Sequence, residues 1–191
     1  MIAVAAAGAL LLSVGLLCVR RLDVALPLLA LQSACAAATL GHVAAIPAFA
    51  LGGVVLPLAM AWMRPATALA ARGGAVSLWL SPLWASPLWA SPLRASLPWA
   101  GAVALPLAAI ALFARSGSGE AVAAGVSVVA LGLWLVAMRR HALATVLGLL
   151  AAQNGLVLVA GAYPDLPPTA AFAVAVPLLP ALALADAWLH R

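Results

Sequence analysis

The residues that could do chemistry in this chain are few, and their spacing argues against most reactions. The histidines His42, His141 and His190 lie far apart, at the ends of different apolar stretches, with no HExxH or similar spacing to hold a metal. The cysteines Cys18 and Cys35 form no CxxC pair and read as small apolar filler. No nucleophile with a nearby base, no paired carboxylates and no glycine-rich phosphate loop can be picked out. No catalytic, cofactor-binding or metal-binding residue is therefore assigned. What remains is neutral: Gln32, Ser33 and Thr39 in one apolar stretch, and Gln153, Asn154 and Gly155 in another. Amides do not titrate, so they make a poor proton relay. Inside an apolar bundle their ordinary role is to join helices by hydrogen bonds, at roughly 0.5–1.5 kcal/mol each. His42 does titrate, but beside Gly41 at the end of its stretch it reads as a solvated residue at an interface.

The elements that must position these residues follow from composition. The chain is 68% hydrophobic and 7% charged, too little charge to cover the surface of a water-soluble domain. Its mean hydropathy is +1.22. A run of about 18 or more apolar residues crosses a hydrocarbon core about 30 Å thick. Such runs cover 2–19, 24–43, 46–63, 99–114, 121–138, 142–162 and 170–189, the fourth being the shortest. The expected fold is all-α: one membrane domain over 1–191, a polytopic bundle of about seven transmembrane helices. The short alternating segments of an outer-membrane barrel are missing from the sequence. Pro27, Pro57, Pro106, Pro177 and Pro180 fall inside these runs and predict kinks or local breaks.

Arginine placement sets the expected topology. Arg20 and Arg21 follow the first run, Arg64, Arg72 and Arg94 the third, Arg139 and Arg140 the fifth, and Arg191 the seventh. Only Arg115, of nine basic residues, falls on the other side. Excess Lys/Arg marks the cytoplasmic face, so the N-terminus is expected outside and the C-terminus in the cytoplasm. The net charge of +5 reflects these anchors. No basic patch interleaved with aromatics points to nucleic acid. The first run has its arginines after it rather than before it, which is unlike a cleaved signal peptide.

One long break, 64–98, interrupts the pattern. It holds a five-residue repeat: SPLWA at 81–85 and 86–90, SPLRA at 91–95 and SLPWA at 96–100. Recurrent proline is expected to keep the segment extended or turn-rich. Trp79, Trp84, Trp89 and Trp99 suit a membrane–water interface. The repeat reads either as a surface tether or docking strip, or as a tandem duplication tolerated in a loop.

Three stretches share an order with a known family. Residues 139–158, RRHALATVLGLLAAQNGLVL, run from basic residues through Gly148 to Gln153-Asn154-Gly155. Residues 30–40, ALQSACAAATL, carry the polar pair Gln32-Ser33, and residues 48–62, AFALGGVVLPLAMAW, lead an apolar run to Pro57. In these features the chain resembles the membrane subunit family typified by hydrogenase-4 component E, related to the small K subunit of bacterial complex I. The resemblance spans most of the chain. It implies a membrane subunit packed against antiporter-like or hydrogenase subunits within the lipid bilayer. The departures concern charge. Gly52-Gly53 stand where the family carries a lysine, Gln153 stands where it carries the glutamate of Glu-Asn-Gly, and 172–178 is apolar where it bears an acid pair. The resemblance therefore implies a scaffold that lacks the family's proton-path residues. It also implies that Gln153 faces other helices, with Asn154 beside it.

The leading expectation is a non-catalytic subunit of an oxidoreductase assembly in the cytoplasmic membrane. A small permease for a neutral substrate, with a cavity lined by Gln32, Gln153 or Asn154, is the second. A membrane scaffold with no redox partner is the third. A C-terminal reporter fusion should read cytoplasmic and an N-terminal tag should be reached from outside. A cytoplasmic N-terminus, or an even number of spans in cysteine-accessibility mapping, contradicts the arginine argument.

Overall fold

A computed structural model of the chain describes residues 2–19, 22–40, 46, 48–61, 92–113, 119–138, 142–163, 165 and 167. The anchors Arg20, Arg21, Arg64, Arg139 and Arg140, the three histidines, repeat residues 81–91 and the run 170–189 lie outside the described residues. Every element is helical: α1 (Ile2–Cys18), α2 (Leu22–Ala37), α3 (Phe49–Ala61), α4 (Pro92–Phe113), α5 (Gly119–Met138) and α6 (Ala142–Gly161). The expected all-α class is what the described residues form. Among the described residues, two helices are both long and apolar enough to cross a membrane, α5 and the 144–161 part of α6. Seven spans are therefore not established by these helices.

Alanine and leucine, strong helix formers, dominate α1 and α2. Neither helix separates an apolar face from a polar one, and the few polar side chains near their middles, Ser13, Gln32 and Ser33, are buried. Leu16, Leu29, Met60, Leu131, Leu135, Leu147 and Leu150 meet in the main core. Equally apolar side chains point outward, with Val4 77%, Leu11 73% and Leu112 76% exposed.

Among the described helices α5 and α6 share the most extensive contact, and glycine is the reason. Gly125 and Gly132 stand seven residues apart on α5, as do Gly148 and Gly155 on α6. The two pairs face each other in antiparallel order. A Cβ at Gly132 would lie 2.6 Å from the Gly148 carbonyl oxygen, and one at Gly155 would lie 2.7 Å from that of Gly125. Backbone thus rests on backbone, the close approach that small residues allow between helices in an apolar medium. A seven-residue spacing keeps such a seam on one side of both helices.

α3 opens as a π-helix over Phe49–Val55, and the Leu56 N–H donates to the Leu51 carbonyl, five residues back. Pro57 explains the wide turn. Its ring has no N–H and collides with the carbonyl four residues earlier in an α-helix, so widening the preceding turn removes the collision. Pro27 and Pro106 sit in α2 and α4 without ending either helix.

The break expected over 64–98 is shorter at its C-terminal end, because α4 begins at Pro92 and takes in repeat residues 92–100. A proline at the first helical position loses nothing, since that N–H has no partner inside the helix anyway. The extended reading of 92–98 is corrected accordingly.

Gly132→Val should push α5 from α6 and destabilise the protein by about 1–3 kcal/mol. Gly15→Ala, whose Cβ would lie 3.8 Å from Leu28 Cδ1, should be neutral or slightly stabilising. Thermal unfolding of the detergent-solubilised protein checks both. Equal tolerance of the two variants contradicts the glycine seam.

Candidate functional site

Polar side chains from three helices meet where α1, α2 and α6 come together against α3. Ser13 comes from α1, Gln32 and Ser33 from α2, and Asn154 from α6. All four are buried, at 3%, 0%, 2% and 5% exposure respectively. Each stands more than one turn from the end of its helix. Consecutive residues Gln32 and Ser33 are turned about 100° apart, so one reaches toward α1 and α6 and the other toward α3 and α6.

The bonds form one connected set. The Asn154 amide nitrogen donates to Gln32 Oε1 at 3.2 Å and to Ser33 Oγ at 2.9 Å. The Ser33 hydroxyl lies 3.1 Å from Asn154 Oδ1 and donates to it. Gln32 Nε2 donates to Ser13 Oγ at 2.6 Å, and Ser13 donates to the Ala9 carbonyl at 2.8 Å. The set thus ends on backbone rather than on an open donor. A half-satisfied network would cost more than an apolar core.

α3 approaches this cluster through glycine. A Cβ on Gly52 would lie 3.4 Å from Ser33 Oγ and 3.8 Å from Asn154 Oδ1. One on Gly53 would lie 3.3 Å from Ser33 Cβ and 2.9 Å from the Phe49 ring. A long side chain at this place would have to displace the cluster or the Phe49 ring.

The expected residues divide as follows. Gln32, Ser33 and Asn154 come together. Gln153, the position that resemblance matches to the family's glutamate, is half-buried and is not one of the bonds that join this cluster. Gly155 is buried one residue further on, against α5 at Gly125 and Val129. Thr39 is separate: its hydroxyl donates to the Ala36 carbonyl beside Gly161. Ser13 was not singled out in the sequence, although it is the only hydroxyl in α1.

Chemically the cluster is neutral. It offers amide and hydroxyl oxygens already paired with donors, and no group that ionises near neutral pH. Among the described residues no group of three or more His, Cys, Asp or Glu side chains is placed to hold a metal. Comparison of the chain with protein-family models, with curated proteins and with solved structures finds no match.

Asn154→Leu should destabilise the protein by about 1–3 kcal/mol, because it leaves Gln32 Oε1 and Ser33 buried without their donor. Gln153→Leu, one residue away and half-buried, should cost less than Asn154→Leu. Chemical unfolding in detergent gives the ranking, and a reversed order contradicts the placement of the cluster.

Proposed function

We propose that this chain is a multi-pass protein of the cytoplasmic membrane, with about seven spans, its N-terminus outside and its C-terminus in the cytoplasm. Its role is that of a non-catalytic scaffold subunit, packed against antiporter-like or hydrogenase subunits of a hydrogenase- or complex I-like oxidoreductase assembly.

The observation that carries the reading is the neutral cluster and what stands around it. Gly52-Gly53 and Gln153 are the positions that the family resemblance matches to a lysine and a glutamate. Gly52 faces Ser33 and Asn154, and Gln153 is the chain neighbour of Asn154. On that matching, one lost charge would lie against the cluster, at Gly52, and the other next to it in the chain, at the half-buried Gln153. An ionisable residue left alone there would sit unpaired in an apolar interior, at a cost of several kcal/mol. Losing both leaves a site that hydrogen-bonds helices and relays no proton.

The membrane part of the proposal draws support from the outward apolar side chains of α1, α3 and α4, among them Val4, Leu58, Leu107 and Leu112. Water would leave this surface prone to aggregation, whereas acyl chains solvate it. Helix length is compatible. α1, at 17 residues, is about 25 Å long at 1.5 Å per residue. A shortfall of a few ångströms against the bilayer is met by local thinning at a fraction of a kcal/mol per ångström.

A permease would need Gln32 and Asn154 to line an open cavity. Here they bond to each other and are closed off from solvent, which favours the scaffold. Purification of a tagged chain in mild detergent, from the organism that makes it, tests the proposal. Antiporter-like and hydrogenase-like subunits should be recovered in fixed ratio with it. Recovery of the chain alone, from membranes that contain the assembly, contradicts the subunit reading.

A further inference from the structure

The described surface has an apolar groove at one end of the bundle. α1 and α4 barely touch, although both pack on α5. The gap between them is a half-open cavity of about 280 Å³. Ala6, Ala7 and Leu10 form one wall and Ile110 the other, with Ala124 on the floor and Glu120 at the edge. Alanine makes the groove: larger side chains at 6, 7 and 124 would fill it.

Three features identify its occupant. The helices that form its walls also carry exposed apolar side chains, Val4 on α1 and Leu107 on α4, so the half-open groove lies on helices whose outward surface is proposed to face lipid. It collects the N-terminal half of α1, the C-terminal end of α4 and the start of α5, the ends that arginine placement assigns to the outer leaflet. The charged residue among its lining, Glu120, is exposed and acidic. A carboxylate at the polar edge of an apolar slot matches a ligand with a cationic head and an apolar tail.

We propose that this groove holds one phospholipid of the outer leaflet with an ammonium headgroup, one acyl chain lying along Ala6, Ala7 and Ala124 and the ammonium paired with Glu120. The proposal rests on the membrane reading above. Exposed charge pairs contribute little, so the acyl chain supplies retention and Glu120 supplies the choice of headgroup.

The test uses the full chain, expressed in a bacterium. Its recovery in carbonate-washed membranes is measured first. Absence from that fraction overturns the membrane reading and the lipid site together. Protein from the membrane is then stripped of lipid, incubated with phosphatidylethanolamine or phosphatidylglycerol, and examined by native mass spectrometry. One phosphatidylethanolamine per chain should be retained in preference to phosphatidylglycerol. Ala7→Phe, on the exposed wall, should abolish retention, and Ala124→Phe should do the same if the first variant fails to fold. Glu120→Gln should keep a lipid but lose the preference between headgroups. Undiminished binding in a folded groove-filled variant overturns the proposal, as does equal retention of both lipids by the unaltered protein. A dimer that the groove-filled variant dissociates also overturns it, in favour of a second copy as occupant.

Discussion

The packing of α1, α2, α3 and α6 depends on one constraint: the buried amides and hydroxyls where these helices meet must find partners across the helix interfaces. Gln32, Ser33, Asn154 and Ser13 do so as a connected set. Apolar packing alone fixes rotation and register of alanine- and leucine-rich helices weakly, because neighbouring registers bury similar surfaces. Four side chains that must meet within hydrogen-bond distance allow few registers. The cluster therefore sets α1 against α2 and α2 against α6. It also determines what α3 can present to it, which is glycine backbone.

α6 carries two different interactions on adjacent residues. Asn154 turns into the polar cluster, and Gly155 turns into the close seam with α5. A step of about 100° separates them. One face of α6 is thus specified by hydrogen bonds and the next by the absence of side chains. Through the seam α5 is held, and through α5 the outer helix α4. The π turn in α3 belongs to the same economy of space, since Pro57 forces a wide turn and Gly52 and Gly53 let it lie against Ser33.

Much of this was legible in the sequence. Apolar runs bounded by arginines gave helices, and the described residues hold helices at six of the seven places expected. Gln32, Ser33 and Asn154 stood out because polar residues among Ala, Leu and Val have no other use than to bond. Which of Gln153 and Asn154 enters the cluster was not legible, because adjacent residues point in different directions and only packing selects one. Ser13 gave no signal, because a lone serine in a helix satisfies itself on the carbonyl four residues back, as it does here on Ala9. The glycines at 125, 132, 148 and 155 have a readable seven-residue period, but their pairing required knowing that α5 and α6 are antiparallel partners. The start of α4 at Pro92 escaped a rule that treats proline only as a helix breaker.

Gln32 and Asn154 act as one unit that holds α2 to α6. A double-mutant cycle measures this directly: unfolding free energies of the detergent-solubilised protein with Gln32→Leu, with Asn154→Leu and with both. The double variant should be less destabilised than the sum of the single variants, by about 0.5–1.5 kcal/mol. Strict additivity would contradict it, since the two amides would then contribute independently and the cluster would not be what joins the helices.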